Sequence, residues 1–378
     1  MLRFGQIVRR RKQKYTILLI GVIIVLLLVA KVSRREPSAP VVEGLKSDVC
    51  YAQIDLSWKT NPEASAYRIY MSDDDKNYKL IGETEKDTCN YTIEDYEHDT
   101  DYYLKVSACT NNKITGKQSE GKQSKTVKVK YDSSKYAQKI PILTYHDIVP
   151  ADSEPGSNLE IKEDDFEEQM KYLHRNGYTT ITPDEFYQWH AGKKEFPVKT
   201  VMITFDDGFR LVYELGYPII KKYNMAATLF CIGKKSLGTT DEHSSNYVRK
   251  EDIEKVRKEY PRFVFESHTY DMHETVNGVE PANCFTFDQI VTDCEKNKEM
   301  DYKYLAYPWG KYSETMQEAL KECGYKMAFA YRPFYYALRS DDTYAINRIK
   351  VKGDYAMSTF ISIVDGSSTS RDNPAATQ

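Results

Sequence analysis

Val201-Met202-Ile203-Thr204-Phe205-Asp206-Asp207-Gly208 is an apolar run that ends in two adjacent carboxylates and a glycine. A short, nearly continuous apolar stretch closed by a turn residue reads as a strand buried on both faces, as in a parallel sheet covered by helices. Adjacent strand residues point to opposite faces. Asp206 and Asp207 can therefore serve one site only if the chain turns sharply after Phe205, which Gly208 permits. Two carboxylates in one site repel unless a cation or a proton separates their roles. Asp-Asp-Gly is also an ordinary surface turn, so this stretch alone leaves both readings open.

Similar apolar runs recur at 140–145, 227–232, 263–265, 304–307 and 345–351, with an amphipathic helix at 165–175 and further helical stretches between most of the runs. Strands alternating with helices predict an α/β fold of the β/α-barrel kind over residues 138–365. In such barrels the chemistry sits where strands end and loops begin.

Two more strand ends carry reactive or aromatic groups. Ser267-His268-Thr269-Tyr270-Asp271-Met272-His273 follows the 263–265 run. A spacing of five does not stack two histidines on one helix face, but it suits a ligand at a strand end followed by a second one in the loop. Two imidazoles and one carboxylate are a usual set for a catalytic divalent metal with positions left open. A lone histidine is more often structural; the pair together with Asp206-Asp207 favours the metal. Ala306-Tyr307-Pro308-Trp309-Gly310 also closes a strand, and Tyr307, Pro308 and Trp309 are candidates for a wall against the apolar face of a sugar ring.

The N-terminal part reads differently. Arg3, Arg9, Arg10, Arg11, Lys12 and Lys14 precede an apolar run from Tyr15 to Ala30, the order of an export signal. The run ends without a clean small-x-small cleavage site, so residues 15–32 are expected to remain as a single transmembrane signal-anchor. The basic residues 1–14 would then be cytoplasmic and the rest of the chain extracellular. Residues 33–39 read as a linker. Between 40 and 132, Ile54, Leu56 and Trp58, then Tyr67, Ile69 and Met71, then Tyr102, Leu104 and Val106 alternate with polar neighbours, which predicts an all-β sandwich. Small, polar residues at 366–378 read as a disordered tail. A net charge of -3 argues against nucleic acid as a partner. The seven cysteines form no CxxC or zinc-finger pattern and read as buried thiols with room for one or two disulfides.

Thr204-Phe205-Asp206-Asp207-Gly208, His268 to His273 and Ala306 to Gly310, with Leu143-Thr144-Tyr145-His146-Asp147 upstream, resemble in order and spacing the NodB-type polysaccharide deacetylases, the fourth carbohydrate esterase family. The branch of poly-N-acetylglucosamine deacetylases is the most similar. The resemblance implies a distorted (β/α)7 barrel and removal of N-acetyl groups from an N-acetylglucosamine-containing polysaccharide of the envelope or secreted outside. It also implies Asp206 as base, Asp207, His268 and His273 as ligands of a divalent metal, usually zinc, and the Trp309 amide as an oxyanion donor. Tyr145, Tyr307, Pro308 and Trp309 would face substrate. In residues 40–132, Leu56-Ser57-Trp58, Ala66 to Ser72 and Asp99 to Ala108 resemble a fibronectin type III domain. Trp58 would be its core tryptophan and Tyr102 would tie down a strand corner. That domain reads as a spacer, with glycan binding as the alternative.

Two positions depart from the family pattern. Ala306 stands where an arginine usually orients the base, and no histidine follows His273 to act as general acid. His146, at the end of a predicted barrel strand, is the best replacement acid, and Arg348 on the last predicted strand is the available arginine. His98, His174, His190 and His243 lie in polar or helical contexts and are left out of the site. A silent glycan-binding surface protein and an O-acetyl esterase are the competing readings.

Overall fold

In the computed structural model, residues 20–24, 41–111, 116–237, 246–331 and 335–367 are described. The expected cytoplasmic segment, linker and tail lie outside these residues almost entirely, as does His243. Of the expected anchor only 20–24 is described, and it is helical. Among the described residues no helix is long and apolar enough to cross a membrane. The chain divides into two compact units, one formed by residues up to 131 except 50–52, the other by those three and the residues from 132 onward.

The first unit holds two sheets. One orders Lys46–Cys50, Gln53–Ser57 and Asn90–Ile93; the other orders Lys79–Glu85, Ala66–Ser72, Tyr102–Asn111 and Gln118–Glu120, with Val127–Val129 also paired to Tyr102–Asn111. Alternation along these strands sends Ile54 and Leu56 from one sheet, and Tyr67, Ile69, Leu104 and Val106 from the other, into one core. Trp58 is buried there, edge-on to Tyr67 at 5.4 Å. The Tyr102 hydroxyl accepts the Glu97 amide at 3.0 Å, tying the strand to the chain just before it.

The second unit is a parallel barrel. Its strands are β1 (Ile142–Tyr145), β2 (Thr200–Phe205), β3 (Ala227–Cys231), β4 (Phe263–Ser267), β5 (Tyr304–Ala306), β6 (Met327–Phe329) and β7 (Ile349–Lys350). They lie in the order β6-β5-β4-β3-β2-β1-β7, each pairing parallel to the next. Thr179–Thr180 adds a short pairing at the start of β2. The curl closes where Ile346, just ahead of β7, donates to Ala328 O at 3.0 Å and accepts from Ala330 N at 2.7 Å. All six residues of β2 are buried, as expected for a strand with helices behind it and barrel interior in front. β6 was not foreseen: Met327-Ala328-Phe329 is too short an apolar run to show a period. The predicted final strand proves to be a two-residue strand with an irregular approach.

Among the described residues no disulfide is formed, so neither of those allowed for above is present there.

Candidate active site

The rim residues are delivered by consecutive strand ends. His146 follows β1, Asp206 and Asp207 follow β2, His268 follows β4, Trp309 lies in the loop after β5, and Arg348 directly precedes β7. Parallel pairing puts Tyr145 opposite Phe205, and Asp206 N donates to Tyr145 O at 3.0 Å. His146 and Asp206 thus leave neighbouring strands at the same level.

The sharp turn required after Phe205 is present. Asp207 has φ +72° and Gly208 φ +80°, a left-handed region that non-glycine residues enter at a cost. A side chain at Gly208 would meet the Cys231 Cα at 3.1 Å. Thr269 (φ +67°) and Trp309 (φ +54°) are left-handed too, so the loops after β2, β4 and β5 each carry a left-handed non-glycine residue. For β-branched Thr269 the conformation is rare.

Asp207, His268 and His273 converge. Asp207 Oδ1 lies 3.4 Å from His268 Nε2 and 3.0 Å from His273 Nε2, and one ligating atom from each residue falls within 4.8 Å of the others. The His268 Nδ1 lies 2.8 Å from Ala306 O. A carbonyl only accepts, so Nδ1 carries the proton and Nε2 is left free to ligate, the usual way a protein orients a metal-binding imidazole. Burial by itself would raise the Asp207 carboxyl, but the hydrogen bonds and charges of His268 and His273 outweigh it and hold the group well below the carboxylate range. His268 is pulled down by burial and pushed above its ordinary value by Asp206 and Asp207. Two imidazoles, one carboxylate and a fixed tautomer fit a divalent cation.

Asp206 faces a different partner. Arg348 grips it with both terminal nitrogens, Nη1 to Oδ1 at 2.7 Å and Nη2 to Oδ2 at 2.8 Å. Both side chains are buried, at 1% exposure for Arg348 and 4% for Asp206. Burial raises the Asp206 carboxyl, but the charge of Arg348, the charge of His268, the Arg348 hydrogen bonds and the charge of His146 together outweigh it and hold the group below its ordinary value. An arginine on Asp206 is thereby supplied from just ahead of β7 rather than from position 306, while the Ala306 carbonyl fixes His268.

The His146 ring is mostly enclosed, and its buried Nδ1 has no hydrogen-bond partner among the described residues. Burial lowers its pKa, opposed by the charges of Asp206 and Asp207.

Among the predicted substrate-facing aromatics only Trp309 stands at the surface, 42% exposed and stacked on His273 at 4.9 Å with 29° between the planes. Tyr145 turns inward, packs against Phe166 and Phe205, and donates to Gln169 at 2.6 Å. Tyr307 is fully buried and donates to Tyr344 O at 2.9 Å, and Pro308 is buried with it. These three lie beneath the rim rather than lining it: Tyr145 is the last residue of β1 and turns to the core side, and Tyr307 and Pro308 follow β5 and are buried.

Residues 193–328 match the polysaccharide deacetylase family. YxkH of Bacillus subtilis (strain 168), whose name assigns it provisionally as a polysaccharide deacetylase, is 34% identical over 228 residues, covering 59% of this chain and 75% of that protein. A poly-beta-1,6-N-acetyl-D-glucosamine N-deacetylase of Staphylococcus epidermidis is 29% identical over 218 residues, covering 55% and 73%. Among solved structures, the Streptococcus pyogenes deacetylase PplD superposes with a TM-score of 0.52 at 24% identity, over 60% of this chain and 98% of that one. IcaB from Ammonifex degensii gives 0.51 at 23% identity, over 61% and 97%. The chain belongs to the polysaccharide deacetylase family.

Proposed function

We propose that this protein is a metal-dependent N-deacetylase of an N-acetylglucosamine polymer, held at the cell membrane by its N-terminal apolar segment with the barrel outside. The observation that carries the reading is the separation of two neighbouring carboxylates: Asp207 joins two imidazoles, while Asp206 stands on Arg348 and takes no part in that cluster. Similarity to relatives named for deacetylating poly-beta-1,6-N-acetyl-D-glucosamine supports the polymer class.

Held by Asp207, His268 and His273, a divalent metal such as zinc would polarise the acetamide carbonyl and acidify a water. Asp206, kept ionised by Arg348, accepts the proton of that water as it attacks. The Trp309 amide, set on a left-handed turn beside His273, is the proposed donor to the developing oxyanion. The nitrogen must leave protonated. His146, level with Asp206 on the adjoining strand, is the imidazole placed to pass the proton on. The products are acetate and a free amine on the sugar. The exposed Trp309 ring offers a face for the sugar to stack on. We read residues 40–132 as a fibronectin type III-like spacer, a reading supported by two sheets on one core and the Tyr102 to Glu97 tie.

Acetate release from β-1,6-linked N-acetylglucosamine oligomers and from acetylated xylan, each before and after chelation and zinc restoration, tests this. The oligomers should be deacetylated, chelation should stop the reaction and zinc should restore it. Release from xylan alone would convert the reading to an O-acetyl esterase, and release from neither would favour a silent binding protein. Activity indifferent to chelation would sink the metal.

A further inference from the structure

The loop that carries both histidines makes a tight reversal, and its backbone is bound at nearly every step. His268 N donates to Cys231 O at 2.8 Å, Thr269 N to Ser267 Oγ at 3.1 Å and Met272 N to Thr269 Oγ1 at 3.2 Å. The two amides at the crest go to a single side chain from elsewhere in the chain. Tyr270 N donates to Asp293 Oδ1 and Asp271 N to Asp293 Oδ2, both at 2.7 Å.

Asp293 sits on helix Phe287–Lys296, between Ile290 and Cys294 on its buried face, and is 5% exposed. That helix is fixed at its start by a capping box of Thr286 and Gln289. Burying a carboxylate is costly unless its oxygens are satisfied, and here each oxygen has a backbone donor. The loop is held from its other side by Met272, which is buried in one cluster with Ile290 and Cys294, and by Lys234 N, which donates to Tyr270 O at 2.9 Å. A groove of about 340 Å³ opens beside the clamp, lined by Asp271, Phe285, Gln289, Asp293 and Lys296 among others. Asp271's own carboxylate points elsewhere, to Lys234 at 2.9 Å.

We propose that Asp293 is a positioning residue for the metal loop: by gripping the Tyr270 and Asp271 amides it sets the distance at which His273 returns toward His268 and Asp207. The inference rests on the metal reading given above and assigns a role to a residue that touches neither metal nor substrate. Asp293→Ala leaves both amides without an acceptor. Asp293→Asn keeps one acceptor and turns an N–H toward the other amide.

The test is a zinc titration of the full-length chain against a chromogenic chelator, with the melting temperature of each metal-free protein measured alongside. Removing a group that orients a ligand typically weakens metal affinity by about 10- to 100-fold. That loss is expected for Asp293→Ala, with Asp293→Asn between it and wild type. A residue that only stabilised the fold would lower the metal-free melting temperature and leave the zinc affinity of the folded protein within about threefold of wild type, and that result overturns the proposal. If the alanine variant does not fold, the asparagine variant decides. Hydrogen exchange of the wild-type chain supplies an arm free of mutation: the Tyr270 and Asp271 amides should be protected, and rapid exchange at both overturns the clamp. Failure of the wild-type chain itself to take up zinc would remove the metal reading and this proposal together, whereas equal binding by wild type and variants would remove the proposal alone.

Discussion

Asp206 and Glu266 are both barrel carboxylates with nearly the same exposure, 4% and 5%, yet they hold their protons differently. Glu266, in β4, accepts from Lys303 N at 2.8 Å and Tyr304 N at 3.0 Å, and among the described residues no basic side chain forms an ion pair with it. Burial pushes its carboxyl up to about 8. Asp206 is desolvated as well, but the guanidinium of Arg348, joined by the charges of His268 and His146, holds it below its ordinary value. At Glu266 two backbone amides do not offset burial, whereas at Asp206 a bidentate arginine and neighbouring imidazoles do. Burial alone therefore does not decide whether an acid in this barrel can act as a base; the charges around it do.

Neutralising Asp206 should have the largest effect. Asp206→Asn should lower kcat on an N-acetylglucosamine oligomer by on the order of 10²–10⁴, the usual contribution of a positioned proton acceptor, while metal content stays at the wild-type level. Asp207→Asn, His268→Ala and His273→Ala should lose metal instead. Elemental analysis of the four purified proteins separates the two carboxylates, and an empty site in Asp206→Asn would mean that their roles are exchanged.

His146→Gln probes the other end of the proton's path. A fall in kcat of about 10² with unchanged metal content and melting temperature is expected. A loss smaller than threefold would take His146 out of the reaction.

Removing the guanidinium should make Asp206 behave like Glu266. Arg348→Met leaves a buried carboxylate without its cation, which typically costs about 3–5 kcal/mol, measurable by denaturant unfolding. The Asp206 pKa should rise, so the acidic limb of the kcat/KM profile moves to higher pH, since the base works only when ionised. Adding Asp206→Asn should return most of the stability. If the double variant is no more stable than Arg348→Met, the pair is not the source of the loss.

Glu266→Gln should have the smallest effect and the clearest sign. A carboxyl raised from 4.5 to about 8 on folding stabilises the native state fully below the unfolded value, and this stabilisation is lost as pH rises through 8. Wild type should therefore lose melting temperature between pH 5 and pH 9 more steeply than the glutamine variant, which carries no such proton. Parallel slopes would show that Glu266 is ionised in the folded chain.

Which parts of the site could be read from the sequence follows from how far apart its members lie. Asp206-Asp207 and His268 to His273 are compact motifs at the ends of apolar runs, and each brings its own chemistry into view. The bond between Arg348 and Asp206 joins residues 142 positions apart, and only strand order brings β7 back beside β1, the neighbour of β2. Tyr145 and Tyr307 were misplaced because an aromatic at a strand end can face the rim or the core, and composition does not say which. Asp293 was missed, although a signal exists: it falls on the same helical face as Ile290 and Cys294, where an acid has no reason to be unless something inside needs it.

The stacking of Trp309 on His273 has an optical consequence. The chain has three tryptophans; Trp58 and Trp189 are buried at 7% and 0% exposure, and Trp309 alone stands open at 42%. Its emission should be the red-most of the three and the one reached by a soluble quencher such as iodide. Because its ring lies against the imidazole that would take the metal, loading the site changes the charge beside the fluorophore, and a sugar laid on the indole shields it. The protein thus carries its own lamp at the mouth of the site, and occupancy can be followed by light without a label.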